Sequence, residues 1–339
     1  MIYELEKQNY KKVLPLVKSD NELSVFSVIA STMDGKIYVN DKTIPTAALI
    51  QTSECNMIAG DTRDFAFNEA IAEILDFWDT ITPDSEEWCG IIPQIHPDKF
   101  IKKYQRRRYL LDTDTHQNMS ISIPNGYFLE QAAPDTLRKC GYQNADKLLE
   151  WIENWGSDAN FATYGVGAYI RNQDTIVSWS ISDCAYKDKI AIGIHTDKDY
   201  RKKGFAAIVV NEVIRLCVLK GYKNIEWLCV DCNKGSIGVA EKAGFQLHNT
   251  YDSFAPYAPV ENLRDLSEHE WEIWAKYFEE GAKSEARLLQ ECIYTYIKAN
   301  NPQKVKELLA LCPNKQEMET DIKSFISYLH TIGMASKFN

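Results

Sequence analysis

The segment from Ile192 to Asn224 constrains the fold more than any other part of the sequence. It reads IGIHTDKDYRKKGFAAIVVNEVIRLCVLKGYKN: an apolar run that ends near Thr196, a basic turn, and a long stretch with apolar residues at helical spacing. This spacing predicts an amphipathic helix over residues 202–220 that packs on a sheet. The basic turn therefore lies where a strand leads into a helix.

The turn has the composition of a phosphate site. The first backbone N–H groups of a helix have no intrahelical partner, and the helix dipole makes this end positive. Gly204 lacks a side chain that would keep an anion from the backbone, and the preceding basic residues add positive charge. The turn predicts a diphosphate cradle. A solvated basic loop is the alternative that the turn alone leaves open.

The patterns around the turn follow one order. Apolar runs at residues 161–170, 175–183 and 189–196 predict three antiparallel strands before the helix. A strand, a helix and a strand are predicted after it, at residues 225–231, 236–244 and 245–254. From Ser267 onward the pattern is helical, with breaks at Asn301-Pro302 and Pro313-Asn314, which predicts about four C-terminal helices.

Two motifs in this region resemble those of one family. The segment DYRKKGFA, which ends at Ala206, is similar to the Q/R-x-x-G-x-G/A turn of the Gcn5-related N-acetyltransferases (GNATs). The segment NKGSIGVAEKAGF, from Asn233 to Phe245, is similar to their N-x-x-S-x-x-L-Y-E-K-x-G-F signature, at the spacing that the family uses. Segments such as YGVGAY and VSWSISD resemble, more narrowly, the subgroup of the zwittermicin A resistance acetyltransferase. The resemblance covers about residues 1–254.

The resemblance implies an α/β fold of the α+β kind, a GNAT fold whose mixed sheet splays between the fourth and fifth core strands. We expect the GNAT catalytic domain at residues 156–258. The preceding residues 1–155 are expected to form a mixed α/β region, with a degenerate GNAT-like half as one interpretation. Residues 262–339 are expected to form an all-α module that the resemblance does not explain.

The resemblance also implies a site for acetyl-coenzyme A (acetyl-CoA). The backbones of Ile194 and Thr196 are expected to pair with the pantetheine arm, as an added strand pairs with a sheet edge. Arg201 is expected to anchor the turn or to reach a phosphate, and Asn233 and Ser236 to lie beside the far end of the arm. The residues expected to hold the pyrophosphate through main-chain N–H groups are Lys202, Lys203, Gly204, Phe205 and Ala206.

The catalytic residues are less clear, because two family positions have changed. Many relatives carry a glutamate base on the fourth core strand and a tyrosine acid in the second motif, and these positions are Ala191 and Ala240 here. Histidine titrates near neutral pH, so His195 is a candidate base, with a plain strand histidine as the alternative. Ser178 and Ser180 are expected to face the same cleft and to contact the substrate or a water molecule.

Charge and hydropathy restrict the partners. Acidic residues outnumber basic ones by 48 to 38, a net charge of -10, so no global field draws the chain to nucleic acid or to an anionic membrane. No segment has the ~20 apolar residues of a membrane span, and the first residues lack a signal peptide, so we expect a cytoplasmic protein. The basic run Gln105 to Tyr109 is interpreted as a solvated strand edge.

The nine cysteines predict reduced thiols rather than a disulfide framework. Cys229 and Cys232 have C-x-x-C spacing, but they lie at the end of a predicted strand with no second pair. We therefore expect buried thiols there and predict no metal site.

The resemblance implies an acetyl-CoA-dependent N-acetyltransferase that acts on a primary amine, an antibiotic-like compound or a metabolite, by direct attack on the thioester. The alternative is a non-catalytic CoA-binding or scaffold protein that works through its C-terminal helices. Ala191 and Ala240 favour this alternative, and the intact turn opposes it. Four aromatic residues of the C-terminal module are expected to pack against the catalytic domain, with an exposed homodimer or partner surface as the alternative: Trp271, Trp274, Tyr277 and Phe278.

Overall fold

The computed structural model describes residues 1–75, 79–95, 102–116, 122–255 and 267–331. The strands in these residues are β1 (Tyr3–Glu4), β2 (Lys36–Val39), β3 (Ala47–Gln51), β4 (Asn56–Gly60), β5 (Ile81–Pro83), β6 (Lys102–Asp112), β7 (Tyr127–Gln131), β8 (Gly167–Asn172), β9 (Thr175–Tyr186), β10 (Lys189–Thr196), β11 (Asn224–Val230) and β12 (Gln246–Ala255). The α-helices are α1 (Leu23–Ile29), α2 (Phe65–Ile74), α3 (Glu86–Ile95), α4 (Pro134–Cys140), α5 (Ala145–Glu153), α6 (Asp158–Tyr164), α7 (Phe205–Leu219), α8 (Lys234–Lys242), α9 (Glu268–Ala282), α10 (Leu288–Lys298), α11 (Pro302–Leu309) and α12 (Lys315–Thr331). Two 3-10 helices cover Lys7–Leu16 and Lys198–Tyr200.

The chain divides into two compact units. The first covers Met1–Ile95 and Lys103–Phe254 and contains the sheet with α1 to α8. The second contains α9 to α12, so the prediction of four C-terminal helices is confirmed. The predicted boundary at residue 155 falls inside the first unit, between α5 and α6, and the division of this unit into two domains stays a prediction.

The described strands form one mixed sheet in the order β1-β2-β3-β4-β5-β12-β6-β11-β10-β9-β8-β7. β6 lies inside this sheet, between β12 and β11, so the interpretation of its basic run as a solvated edge is wrong. Arg108 is buried, and the side chain of Arg106 is only 11% exposed. Both guanidinium groups have carboxylate partners, because a charge inside a protein is costly unless it is paired.

β10 and β11 separate part of the way along β10. They pair in parallel over residues 189–191 and 224–226, whereas residues 192–196 keep their register with β9 alone in the described chain. A bulge in β9 marks this fork: Ala191 lies opposite Cys184 and Ile192 opposite Ser182, which leaves Asp183 as the extra residue. The predicted splay of the sheet is therefore present as an open slot between β10 and β11.

The two faces of the sheet at the fork carry different helices, because side chains alternate along a strand. On the face with Ile192 and Trp227, the indole of Trp227 donates to Ser236 of α8, and α8 contacts α7. We call this the α7 face. On the face with Trp179 and Gly193, Trp179 packs against Trp151 of α5 with ring centroids 6.1 Å apart. We call this the α5 face.

The predicted strand at residues 161–170 is only half right. Its second part forms β8, but Phe161 to Tyr164 belong to α6. Ser157 caps this helix by accepting a hydrogen bond from the Asn160 N–H at 3.1 Å. A serine N-cap with an aspartate in the first turn favours a helix over the β propensity of the aromatic residues.

The second unit buries the aromatic side chains of α9. Trp271, Trp274 and Phe278 are at most 5% exposed, so these three side chains do not form the exposed surface that was the alternative. The ammonium group of Lys298 in α10 lies 4.4 Å from the centroid of the Trp271 ring, at cation–π distance. A homodimer or partner surface on this unit stays a prediction. In the described chain, every helix is too short or too polar to cross a bilayer.

Candidate functional site

The turn before α7 is open and basic. Gly204 is the N-cap with φ +87°, and among the described residues no side chain caps this end of the helix. A Cβ on Gly204 would have no described heavy atom within 4 Å, so the glycine faces open space. Lys202 also has a positive φ, 61°. Such backbone strain is concentrated at functional turns, and glycine is the residue that tolerates it best.

Aromatic rings and one arginine hold the turn in place. Phe205 is buried, and its ring lies 4.6 Å from that of Tyr127 and 6.4 Å from that of Tyr200. The ammonium group of Lys203 lies 4.8 Å from the Tyr200 ring centroid. Arg201 Nε donates to the carbonyl oxygen of Thr196 at 3.0 Å. Of the two roles predicted for Arg201, this bond supports the anchoring of the turn to β10.

The backbone of β10 turns the peptide groups of two residues toward the slot. The N–H of Asp197 donates to the carbonyl of Val177 at 2.9 Å, which makes these two residues a hydrogen-bonded pair of the antiparallel ladder. Because such pairs recur every second residue, the peptide groups of His195 point toward β9. Those of Ile194 and Thr196 point into the slot. They are the two residues predicted to bind an extended ligand.

Asn233 and Ser236 lie at the start of α8, which packs on β11 along the other side of the slot. Asn233 is the N-cap, and its Oδ1 accepts from the Ser236 N–H at 3.0 Å. The Ser236 Oγ accepts from the indole N–H of Trp227 at 2.9 Å. Both side chains thus support the helix, and the hydroxyl hydrogen of Ser236 remains a donor.

Ser178 and Ser180 link β9 to β10 on the α7 face. Ser178 Oγ donates to the carbonyl of His195 at 3.1 Å and lies 2.7 Å from Thr196 Oγ1. Ser180 Oγ donates to the carbonyl of Gly193 at 2.7 Å. Both serines are buried. These bonds fix the strand that borders the slot.

His195 lies on the opposite, α5 face. Its ring stacks on Trp179 with centroids 4.2 Å apart, and its Nε2 lies 3.1 Å from Asp197 Oδ1. Burial alone would raise the pKa of Asp197, but the hydrogen bond to His195 and the charge of Lys147 outweigh it, and this pKa is lowered. The structure therefore does not bring His195 together with Ser178 and Ser180, which were expected to share its cleft.

Buried ion pairs lie next to the fork. Glu226 is the partner of Ala191 in the β10–β11 register and is fully buried. Arg108 holds both of its carboxylate oxygens, at 2.9 Å each. Such a two-bond pair satisfies both oxygens of a buried carboxylate.

Glu22 and Tyr251 form a second buried group. The guanidinium of Arg106 lies 3.4 Å from Glu22, and the hydroxyl of Tyr251 donates to the same carboxylate at 2.8 Å. Burial raises the pKa of Glu22 and works against the effect of Arg106.

Asp183 is the residue at this site that the sequence-based prediction missed. Both of its carboxylate oxygens lie 3.1 Å from the point where a Cβ on Gly193 would be, and the Trp151 ring lies 2.9 Å from the same point. Asp183 is therefore on the α5 face, beside Gly193 of β10. The available signal was an acidic residue within a strand that is otherwise apolar or serine, SISDC.

The geometry agrees with the comparison with known proteins. Residues 14–254 match the model of the GNAT acetyltransferase family. The chain belongs to this family. It is accordingly an acyltransferase, and the predictions of the family and of the enzyme class are confirmed. The match ends before α9, so the second unit lies outside it. Membership of the zwittermicin-like subgroup stays a prediction.

Two relatives illustrate the likeness. The uncharacterized N-acetyltransferase YdfB of Bacillus subtilis (strain 168) is 26% identical over 261 residues, which are 74% of this chain and 97% of YdfB. The crystal structure of a GCN5-related N-acetyltransferase-like protein from Streptococcus suis 89/1591 aligns with a TM-score of 0.58 at 20% identity. The alignment covers 73% of this chain and 98% of that protein, and the predicted fold is confirmed.

Proposed function

We propose that this GNAT protein transfers an acetyl group from acetyl-CoA to a primary amine of a small molecule. The observation that carries the proposal is the open, basic N-terminus of α7 next to the slot of β10. A diphosphate needs N–H donors and positive charge, and the pantetheine arm needs a strand edge. The chain offers both, joined by the hydrogen bond from Arg201 to Thr196.

Each part of the donor molecule has a matching group in this arrangement. Lys202, Lys203 and the N–H groups of Phe205 and Ala206 are proposed to hold the diphosphate. The peptide groups of Ile194 and Thr196 are proposed to pair with the pantetheine amides. The Ser236 hydroxyl and Asn233 are proposed to contact the arm near its thioester end. The space in front of Gly204 fits this assignment, because a side chain there would occupy the position of the phosphates.

The proposed reaction is a direct transfer to the amine. When bound, acetyl-CoA supplies an activated acetyl group as a thioester. Burial raises the pKa of Cys184, the thiol opposite Ala191 at the fork, well above its ordinary value. A thiol of this kind is a poor nucleophile, so it does not favour an acetyl-cysteine intermediate. The contribution of the chain is then the alignment of the two reactants, which gives large effective concentrations.

The test is thiol release from acetyl-CoA with a panel of small amines: alkylamines, diamines, amino sugars and amino acids. At least one primary amine is expected to raise the release above the rate with water alone, with an acetylated product in the mass spectrum. Its N,N-dimethyl analogue is the matched control and should give no stable product. Acetyl-CoA binding without amine-dependent release throughout the panel would favour the non-catalytic CoA-binding protein. Release with peptide substrates alone would overturn the small-molecule part.

A further inference from the structure

The glutamate that serves many relatives as a base is Ala191 in this chain, so proton transfer from the amine needs another group. We propose that Asp183 is this general base and that the β-bulge in β9 brings its carboxylate to the fork. The inference rests on the proposed function, because it takes the acceptor to be an amine. Asp183 would then be a catalytic residue that contacts the acceptor nitrogen.

The bulge determines where the Asp183 side chain lies. In a regular ladder the residue between Ser182 and Cys184 would lie opposite one residue of β10. Here Ser182 faces Ile192 and Cys184 faces Ala191, so Asp183 is an extra residue between them. A bulge redirects the side chain of its extra residue, and bulges are frequent beside active sites. The carboxylate consequently lies over the backbone of β10 at the fork.

Gly193 makes room for this carboxylate. A Cβ at this position would lie 3.1 Å from both oxygens of Asp183 and 2.9 Å from the Trp151 ring. Contacts this close require the neighbouring groups to move. Gly193 is followed by Ile194, whose peptide groups point into the slot. The carboxylate is thus next to the strand segment proposed to hold the pantetheine arm.

The donor and the base lie on opposite faces of β10 in this arrangement. The turn of α7 and the start of α8 belong to the α7 face, whereas Asp183 and Gly193 belong to the α5 face. An acceptor that arrives from the α5 face would meet the donor through the slot, with Asp183 behind its nitrogen. A general base acts over hydrogen-bond distance, so the reaction needs the acceptor nitrogen to lie between the thioester and the Asp183 carboxylate.

The other ionisable groups near the fork are the alternatives that the experiment must separate from Asp183. Arg108 holds both carboxylate oxygens of Glu226, which would lose this pairing on protonation. Glu22 is fully buried and accepts a hydrogen bond from Tyr251. His195 is two residues further along β10 than Gly193, with its ring against Trp179 and its Nε2 on Asp197. His195 is the strongest competing candidate.

Several charges share the surroundings of Asp183. Burial raises the pKa of the Cys184 thiol, and the charges of Asp183, Glu54 and Glu226 add to this effect. Arg106 donates to the Glu54 carbonyl at 3.4 Å, and the Lys189 ammonium lies 3.9 Å from Glu226.

Two protons leave the acceptor nitrogen in the proposed step. The ammonium group of the acceptor gives one proton to the Asp183 carboxylate and becomes a free amine. The nitrogen lone pair forms a bond to the thioester carbonyl carbon, and the carbon–sulfur bond breaks. The second proton that the nitrogen loses leaves with the sulfur as the CoA thiol. Asp183 then releases its proton to water, which restores the carboxylate.

The experiment compares Asp183→Asn with Asp174→Asn, which makes the same change in the exposed β8–β9 turn. The acceptor is the panel amine with the highest kcat/KM, or water if no amine in the panel is acetylated. Asp183→Asn is expected to lower kcat/KM by about 100 to 10,000-fold, the usual contribution of a general base. The affinity for acetyl-CoA, measured by calorimetry, and the melting temperature are expected to stay at the wild-type values. Asp174→Asn should retain wild-type kcat/KM.

Three further readouts separate a general base from a residue that only supports the structure. The rise of wild-type kcat/KM with pH is expected to disappear in Asp183→Asn, because the titrating group is gone. Asp183→Glu, which keeps the carboxylate, is expected to retain more activity than Asp183→Asn, and it decides the matter if the asparagine variant does not fold. Gly193→Ala, which displaces the carboxylate, is expected to lower kcat without weakening acetyl-CoA binding.

The inference is overturned if Asp183→Asn stays within about threefold of wild-type kcat/KM, since a general base contributes at least ~100-fold. It is also overturned if the pH dependence survives in Asp183→Asn but disappears in His195→Gln, or if the glutamate variant folds and is as inactive as the asparagine one. Failure of the proposed function is a separate result, because it appears as a panel without amine acetylation. The comparison of variants with water as acceptor still holds in that case.

Discussion

The two helices that follow the splayed strands begin in opposite ways. α8 starts at an internal cap, where Asn233 accepts a hydrogen bond from the Ser236 N–H at 3.0 Å. α7 starts at Gly204, with φ +87° and, in the described chain, no side-chain cap. Both junctions lead from a strand that borders the slot. The start of α8 has a side-chain partner for an N–H group of its first turn, whereas the start of α7 leaves its N–H groups for a ligand.

The start of α7 is less stable than the start of α8 for two reasons. A side-chain N-cap stabilises a helix by roughly 1 kcal/mol, and α7 does without it. A lysine at positive φ adds strain of about 1 kcal/mol, which Lys202 carries. Selection for stability alone would remove both the missing cap and the strained lysine. Both are found at the start of α7 and not at the start of α8, which indicates that the start of α7 is shaped to bind an anion and that the start of α8 is shaped to stabilise its helix.

The largest effect is expected from Gly204→Glu. A carboxylate about 5 Å from a diphosphate charge costs about 3 kcal/mol at an effective dielectric constant of 20, which is roughly a 100-fold rise in the Kd of acetyl-CoA. The matched control is Gly221→Glu at the other end of α7, where φ is +89° and a Cβ also meets no described atom within 4 Å. Calorimetry should show wild-type affinity for the control. Equal losses in both variants would mean that strain, not the phosphate site, causes the effect.

The next effect concerns the stability of α8. Asn233→Ala removes the acceptor of the Ser236 N–H, and we expect the free energy of unfolding to fall by about 1 kcal/mol. Urea unfolding measures this loss, with Asn125→Ala at an exposed loop position as the control. A change of less than about 0.3 kcal/mol would show that the cap is not what closes this helix start.

A smaller effect is expected at the basic residues of the α7 turn. Lys202→Ala keeps the positive φ but removes the charge, and we expect a loss of acetyl-CoA affinity of a few-fold, about 0.5–1 kcal/mol. The loss should shrink as salt is added, since screening weakens exposed charges. Lys187→Ala is the matched control, because Lys187 is also an exposed lysine at positive φ, 56°. An equal loss in this control would contradict a local phosphate contact.

The smallest effect is expected in the stability of the protein at acid pH, at one aspartate before each helix: Asp197 before α7 and Asp231 before α8. The pKa of Asp231 is lowered by its hydrogen bond with Arg107, and that of Asp197 is lowered because His195 and Lys147 outweigh burial. A lowered folded pKa gives stability that is present above the unfolded value of about 3.9 and lost as the pH falls through the folded value. Urea unfolding from pH 5 to pH 3 should therefore show a shallower decline for Asp197→Asn than for wild type, and a smaller change for exposed Asp231→Asn. Identical slopes in all three would contradict this assignment.

Local patterns explain why the region of the turn was predictable. Gly204, the basic residues before it and the helical spacing after it are all contiguous, and they describe one strand, one turn and one helix. The four C-terminal helices were predictable for the same reason, since Asn301 and Pro302 mark a break by their own backbone chemistry. Asn301 indeed caps α11 through the Lys304 N–H at 3.2 Å.

The positions that depend on long-range pairing were not predictable in this way. The role of Asp183 depends on a bulge, and one extra residue changes the face of a side chain without any mark in the sequence. The burial of Arg108 depends on β12 lying beyond β6, far away along the chain. The placement of Ser178 and His195 on opposite faces follows from the register of β9 with β10. Strand alternation could have warned that Trp179 faces away from Ser178 and Ser180.

Amide hydrogen exchange with and without saturating acetyl-CoA tests the difference between the two helix starts most directly. We expect new protection at the N–H groups of Ile194, Thr196 and the first turn of α7. We expect little change at His195, which faces β9, or at Ser236, which Asn233 already caps. Protection confined to the start of α8, or no change in α7 and β10 although the ligand is bound, would contradict the proposal that α7 and β10 bind acetyl-CoA.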